Sequence, residues 1–234
     1  MKTKSLVILI WLLANISLFS QTIEYTRLYF SVSAGMDYPI GISDTPGIEP
    51  DFTLPFLRGF GATIDGAFFI TENFGVGLKY HLYSAKVKNK GELLQPDKAV
   101  KYTFSENTHI ICPTLYGRWT LGNTKWEIPA SIGIGYVRNK ISNHEEKFYF
   151  SDPSILSKHY GAADIKSNSL GILVSTGICY RISPVIAIST NMNGLFSGAK
   201  KQKTTDLLLN KPKTVDISRK MNKVGISLGL NINF

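Results

Sequence analysis

At 234 residues and a formal net charge of +9, the chain is long enough for one ordinary domain or one sizeable β-barrel and too short for two comfortable domains. Its lysine excess does not read as a nucleic-acid surface, because no aromatic platform or recognition element accompanies it. Two cysteines, Cys112 and Cys179, allow one bridge at most.

The first segment in chain order reads as a leader. "MKTKSLVILIWLLANISLFSQ" carries two lysines, an apolar run from Leu6 to Leu13, and a Ser20-Gln21 junction of signal-peptidase type. The run is shorter than the about 20 apolar residues of a membrane-spanning helix, and the segment lacks the terminal cysteine of a lipoprotein. The expectation is a signal peptide over 1–20, cleavage near Ser20-Gln21 and a single domain over 21–234. Loss of Lys2 and Lys4 would take the charge from +9 to +7. No later window is apolar for long enough to be a transmembrane helix.

Alternation with a period of two then recurs along the chain, the mark of strands with unlike faces. The first run sets Leu28, Phe30, Val32, Ala34 and Met36 against Tyr29, Ser31, Ser33, Gly35 and Asp37. A second follows from Gly59 to Ile70, and a third starts at Phe74, with Val76, Leu78, Tyr80 and Leu82 opposing Gly75, Gly77, Lys79, His81 and Tyr83. The fourth covers about His109 to Leu121 and the fifth Trp126 to Tyr136. The sixth covers Leu170 to Arg181, the seventh Ile186 to Phe196, and the last is "NKVGISLGLNINF".

Three connections, Thr71–Asn73, Gly122–Thr124 and Ser183-Pro184, are short, and the four others are long. Short and long alternate strictly. Eight strands with all short turns at one end and all long loops at the other predict an all-β, eight-stranded, antiparallel up-and-down transmembrane β-barrel. Its short turns would be periplasmic and its long loops extracellular.

Two features say which face meets lipid. The glycine-bearing face carries Asp65, Lys79, His81, Arg118, Glu127, Arg181 and Lys223, and a lumen this narrow holds long side chains only beside small ones. On the apolar face, Phe74, Trp119, Trp126 and Tyr180 all lie near short turns, where amphipathic rings mark a membrane interface. The expectation is a filled polar lumen and an apolar wall.

The leader ending before Gln21, the "ITENFGVGLKYHL" hairpin and the terminal "SLGLNINF" together resemble the small outer-membrane β-barrel domain proteins of Bacteroidetes, similar in architecture to OmpX and the OmpA barrel. The resemblance covers Gln21 to Phe234. It implies an assembly signal at Ser227, Gly229, Ile232 and Phe234, read by the barrel assembly machinery, and a place in the cell outer membrane. Some members are called PorT-like, after a component of the type IX secretion apparatus, which implies an accessory role there as an alternative.

Candidate chemistry is sparse. The inward charges satisfy one another as buried ions must, and His81, facing Lys79 and Glu127, reads as a hydrogen-bonded lumen residue. A lipid-A-modifying barrel enzyme of the PagL or PagP type is a third possibility. A PagL-like site wants a histidine and a serine on one strand face, whereas His81 and Ser84 are three apart and face opposite ways. His144, Glu145 and Glu146 fall in the third loop without metal-ligand spacing. No cofactor or metal is implied.

Cys112 lies about nine residues above its turn and Cys179 about four from its own. At about 3.3 Å per residue they cannot bridge, so two free thiols are expected. The loops differ in charge. The first holds Asp44, Glu49 and Asp51, whereas the second and fourth hold Lys86, Lys88, Lys90, Lys200, Lys201 and Lys203 among other bases. Those six lysines are candidate contacts for the anionic headgroups of lipopolysaccharide. The leading expectation is therefore a non-enzymatic barrel with a structural or surface-interaction role through basic loops, partnered by outer-membrane lipid and by surface or secretion proteins.

Overall fold

The computed structural model describes the backbone of residues 27–40, 58–92, 98–122, 124–149, 159–199, 202–206, 211–215 and 219–234. Side chains are described for 27–40, 58–86, 105–122, 124–142, 165–198 and 220–234. The expected leader and the acidic first loop lie outside the described residues.

Among the described residues eleven strands form one antiparallel sheet. In chain order they are β1 (Leu28–Ile40), β2 (Gly59–Phe69), β3 (Phe74–Glu92), β4 (Lys98–Thr120), β5 (Trp126–Tyr149), β6 (His159–Arg181), β7 (Ile186–Ala199), β8 (Gln202–Asp206), β9 (Lys211–Val215), β10 (Arg219–Lys220) and β11 (Asn222–Asn233). Strands β1 to β7 pair in sequence, β11 pairs with β7, and β11 closes on β1 from Tyr29↔Asn233 to Ile40↔Asn222. The product is a closed eight-stranded barrel, and closure removes the unpaired edges that an open sheet would leave.

Alternation sets the two surfaces as the sequence predicts. Residues such as Leu28, Val32, Ile64, Phe68, Val76, Leu115, Ile132, Ile178 and Leu228 are exposed on the outside, while Ser31, Ser33, Thr63, Asp65, Lys79, Ser189 and Ser227 are buried inside. A soluble barrel has the reverse arrangement; this one is built to span a bilayer. Next to the short turns Phe74 and Trp119 meet edge to face at 6.2 Å, and Trp126 and Tyr180 meet at 4.8 Å. Along a strand tilted by about 40°, the rise from Trp126 to Tyr136 is about 25 Å, the height of an apolar band.

The short turns are held by small side chains. Ser183 Oγ accepts from the Ile186 amide at 2.9 Å, Thr71 Oγ1 accepts from Phe74 N at 3.0 Å, and Thr124 Oγ1 donates to Leu121 O at 2.6 Å. Gly122 has φ of 58°, a left-handed conformation that favours glycine.

The long connections differ from their sequence reading. Strands β3 and β4 stay paired out to Glu92↔Ala99, and β5 and β6 stay paired to Lys147↔His159. The second and third loops are thus largely β-hairpin, and His144, Glu145 and Glu146 sit in β5 rather than in an irregular loop. In the fourth connection β8 joins the upper part of β6, β9 pairs with β8, and β10 pairs with β7. Backbone pairing continues because each strand still has a neighbour to satisfy its amides, even where the apolar alternation that reveals a strand has ended.

Candidate functional site

The lumen is layered rather than uniformly polar, which corrects the sequence expectation. At the short-turn end Tyr29, Ala67, Phe69 and Tyr116 form an aromatic floor. The Arg118 guanidinium lies 3.9 Å over the Phe69 ring, and its Nε donates to Glu72 O at 2.9 Å. Glu127 is paired with Arg181 at the lip, where the arginine side chain is 35% exposed.

Above this floor Lys79 Nζ stands 3.3 Å from Asp65 Oδ2 and donates to Ser131 Oγ and Ser175 Oγ, each at 2.7 Å. Register brings Asp65 and Lys79 face to face on β2 and β3. A lysine between two serines has the outline of a nucleophile and its base. Asp65 instead makes Lys79 a structural cation, and the adjoining cavity of about 40 Å³ has room for about three water molecules and no substrate.

His81 is a buried, hydrogen-bonded lumen residue, as the sequence leads one to expect, with partners other than Lys79 and Glu127. Its Nε2 is 2.8 Å from Asp37 Oδ2 and its Nδ1 is 2.9 Å from Thr63 Oγ1. The Asp37 carboxylate fits because Gly61 and Gly225 flank it; a Cβ at either position would overlap it.

Alternation also hid an apolar plug. Ile110, Cys112, Val137, Leu173, Leu195 and Met221 pack together inside the barrel. Beyond the plug Lys223 Nζ donates to Glu106 Oε1 at 2.9 Å, Asn139 Nδ2 donates to the same oxygen at 2.6 Å, and Lys223 lies 4.5 Å from the Tyr83 ring centre. A second apolar cluster of Tyr83, Ala85 and Ile141 follows.

Of the seven charges expected in the lumen, six are buried inside it and Arg181 is at its rim. Asp37 and Glu106 complete their pairing and were missed for different reasons. Asp37 stands on the polar side of its run without a recognisable partner nearby in sequence. Glu106 falls in what reads as a loop. The plug had a visible signal in adjacent apolar residues, Ile110-Ile111 and Ile172-Leu173-Val174, where one of each set must face inward.

Cys112 and Cys179 are free and buried, as the strand offsets require. Among the described residues no group of histidine, cysteine and carboxylate side chains has the arrangement of a metal site. Ser227 is buried, with its Oγ donating to Ser33 Oγ at 3.4 Å and accepting from Asn193 Nδ2 at 3.0 Å. Ile232 pairs with Phe30 and Ile186, and the neighbouring Gly229 with Ser33 and Ser189. Phe234 exchanges backbone hydrogen bonds with Leu28 at 2.9 and 3.0 Å.

The six candidate lysines are dispersed. Lys86 is exposed on the outward face of β3, Lys88 and Lys90 stand opposite Thr103 and Lys101, and Lys203 is on β8 opposite Lys166. Lys200 and Lys201 lie outside the described residues.

No protein-family model matches the chain, and no curated protein matches it. Solved structures with a similar course include the outer membrane protein OprG from Pseudomonas aeruginosa, at 15% identity and TM-score 0.49 over 90% of this chain and 97% of that one. Neisserial surface protein A is similar at 12% identity and TM-score 0.43, over 88% and 97%. The outer membrane protease OmpT from Escherichia coli is similar at 11% identity and TM-score 0.45, over 92% and 99%. The names of those proteins describe those proteins, and likeness at this level carries no argument about activity.

Proposed function

We propose that this chain is an outer-membrane barrel with a structural or surface-interaction role, working through its outer wall and the sheets that extend beyond the bilayer. The observation that carries this reading is the filled lumen. Among the described residues an aromatic floor, ion pairs and an apolar plug occupy the interior in succession, and the cavity beside Lys79 measures about 40 Å³. On this reading binding falls to the outer surfaces, and the lysines of the extended hairpins suit the anionic headgroups of lipopolysaccharide. Insertion through the barrel assembly machinery, guided by Ser227, Gly229, Ile232 and Phe234, belongs to the same reading, as does the Bacteroidetes-type architecture.

Purified protein in planar lipid bilayers tests it. Conductance should stay at the lipid baseline, and steady channel steps from the native chain would replace a filled barrel with a pore. An accessory place in a secretion apparatus would reveal itself by co-purification of periplasmic secretion components. A lipid-A-modifying role would require altered lipid A in cells lacking the gene.

A further inference from the structure

Strand register fixes where the apolar wall ends on each side of the barrel. Paired neighbours followed round from Tyr136 through Tyr80, Val32 and Ile188 arrive at Trp126, lower on the same strand. The path falls by the height of the apolar band, so each step drops about 3 Å, while each residue along a strand tilted by about 40° rises about 2.5 Å. Tyr38 on β1 and Phe60 on β2 therefore stand within about 3 Å of the level of Tyr136 on the opposite side. Together these rings mark the upper edge of the hydrocarbon.

Just above that edge two cations face outward. Arg58 comes two residues out from Phe60, and its guanidinium carbon lies 5.9 Å from the Tyr38 ring centre. Lys86 comes two residues out from Ser84, the partner of Phe60 on β3, and both cations are exposed. They stand about 6–9 Å above the level of Tyr136, at the depth of lipid headgroups. Among the described residues neither makes an ion pair. Asp37 and Asp65, the acids on β1 and β2 within the described residues, point inward and are paired with His81 and Lys79. Beneath the cations the wall is apolar, with Met36 and Phe60 side by side and 50% and 54% exposed.

We infer that the outer wall of β1 to β3 holds a phosphate of an outer-leaflet glycolipid between Arg58 and Lys86, with the acyl chains lying over Phe60 and Met36. Tyr38 positions the guanidinium through its ring face, and the planar N–H fork of Arg58 matches phosphate oxygens. Lys86 adds a second charge from the neighbouring strand. Two like charges at one depth repel, and a shared anion converts that repulsion into attraction for both. The site rests on the outer-membrane reading above and adds a lipid class and a place on the wall, with Arg58 and Tyr38 as ligand and support. Of the six candidate lysines only Lys86 takes part.

Native mass spectrometry of the full chain refolded in detergent tests it, with bisphosphorylated lipid A and its dephosphorylated form as probes. The native chain should retain the phosphorylated form at least about tenfold better. R58Q/K86Q should lose that preference, while K125Q, which removes an exposed charge at the short-turn end, keeps it. Equal retention of both lipids by the native chain, displacement of the lipid by millimolar inorganic phosphate, or an undiminished preference in a folded R58Q/K86Q would overturn it. Location is also read without a variant: lipid A bearing a diazirine on an acyl chain should label β1 to β3 of the native chain. Label spread evenly round the wall, or confined to other strands, would equally overturn it. A native chain that shows no heat-dependent gel mobility would instead sink the barrel reading itself.

Discussion

Lys223 Nζ meets Glu106 Oε1 at 2.9 Å across the lumen, joining β11 to β4, strands that are not neighbours anywhere in the sheet. The two side chains are 2% and 4% exposed, so each charge depends on the other. Removing one partner of a buried pair typically costs about 3–5 kcal/mol, whereas replacing both with apolar groups of similar volume is often neutral. Lys223→Met should therefore lower stability by about 3 kcal/mol in urea unfolding from lipid vesicles, and K223M/E106L should recover most of the loss. A single variant as stable as the native chain would mean the pair does not brace the lumen.

The Asp37 carboxylate reaches His81 between two glycines. Gly225→Ala would put a methyl group into that carboxylate, and overpacking of this kind costs about 1–3 kcal/mol. Gly66→Ala is the matched control, because a Cβ there meets only Tyr29 O at 3.7 Å. Unfolding midpoints should fall for the first and stay near native for the second. Equal midpoints would remove the tight fit of Asp37 as the reason for glycine at 225.

Leu228 is 70% exposed at mid-height of the wall. On a water-soluble protein an exposed Leu→Arg change is close to neutral. Facing hydrocarbon, Leu228→Arg should cost about 2–4 kcal/mol, measured as the stability of the protein folded into vesicles. A cost near zero would take this face out of the bilayer.

Both thiols are free and lie inside the barrel wall. Maleimide should leave Cys112 and Cys179 unmodified in the folded protein and label both in denaturant, with non-reducing mass spectrometry showing no bridge. Rapid labelling of folded protein would indicate a lumen open to reagent.

Phe234 and Leu28 bond through their backbones, so Phe234→Ala keeps that closure. The variant should refold in detergent as the native chain does and yet insert poorly in cells, where the aromatic side chain is the proposed recognition element. Normal insertion in cells would reduce Phe234 to ordinary strand packing.

Much of this architecture is legible in linear order. Eight alternating runs, three short turns and aromatics beside them lead to the barrel, because a strand between lipid and a packed lumen must change chemistry at every residue. Lys79 and Asp65 are likewise visible as inward charges. The pairing of His81 with Asp37, however, depends on which side chains meet across the lumen. The hairpins carrying Lys86 and His144 read as loops, since beyond the bilayer both faces meet water and alternation no longer marks a strand.

By itself, then, the sequence determined which residues face lipid and which face inward, because parity along a strand is a local property. Only the tertiary structure decided how the interior is filled and which buried charges meet there. Glu106 and Lys223 are 117 residues apart and Asp37 and His81 are 44 apart. Both contacts follow from barrel closure and strand stagger, which bring distant positions to one point and leave no trace in sequence spacing.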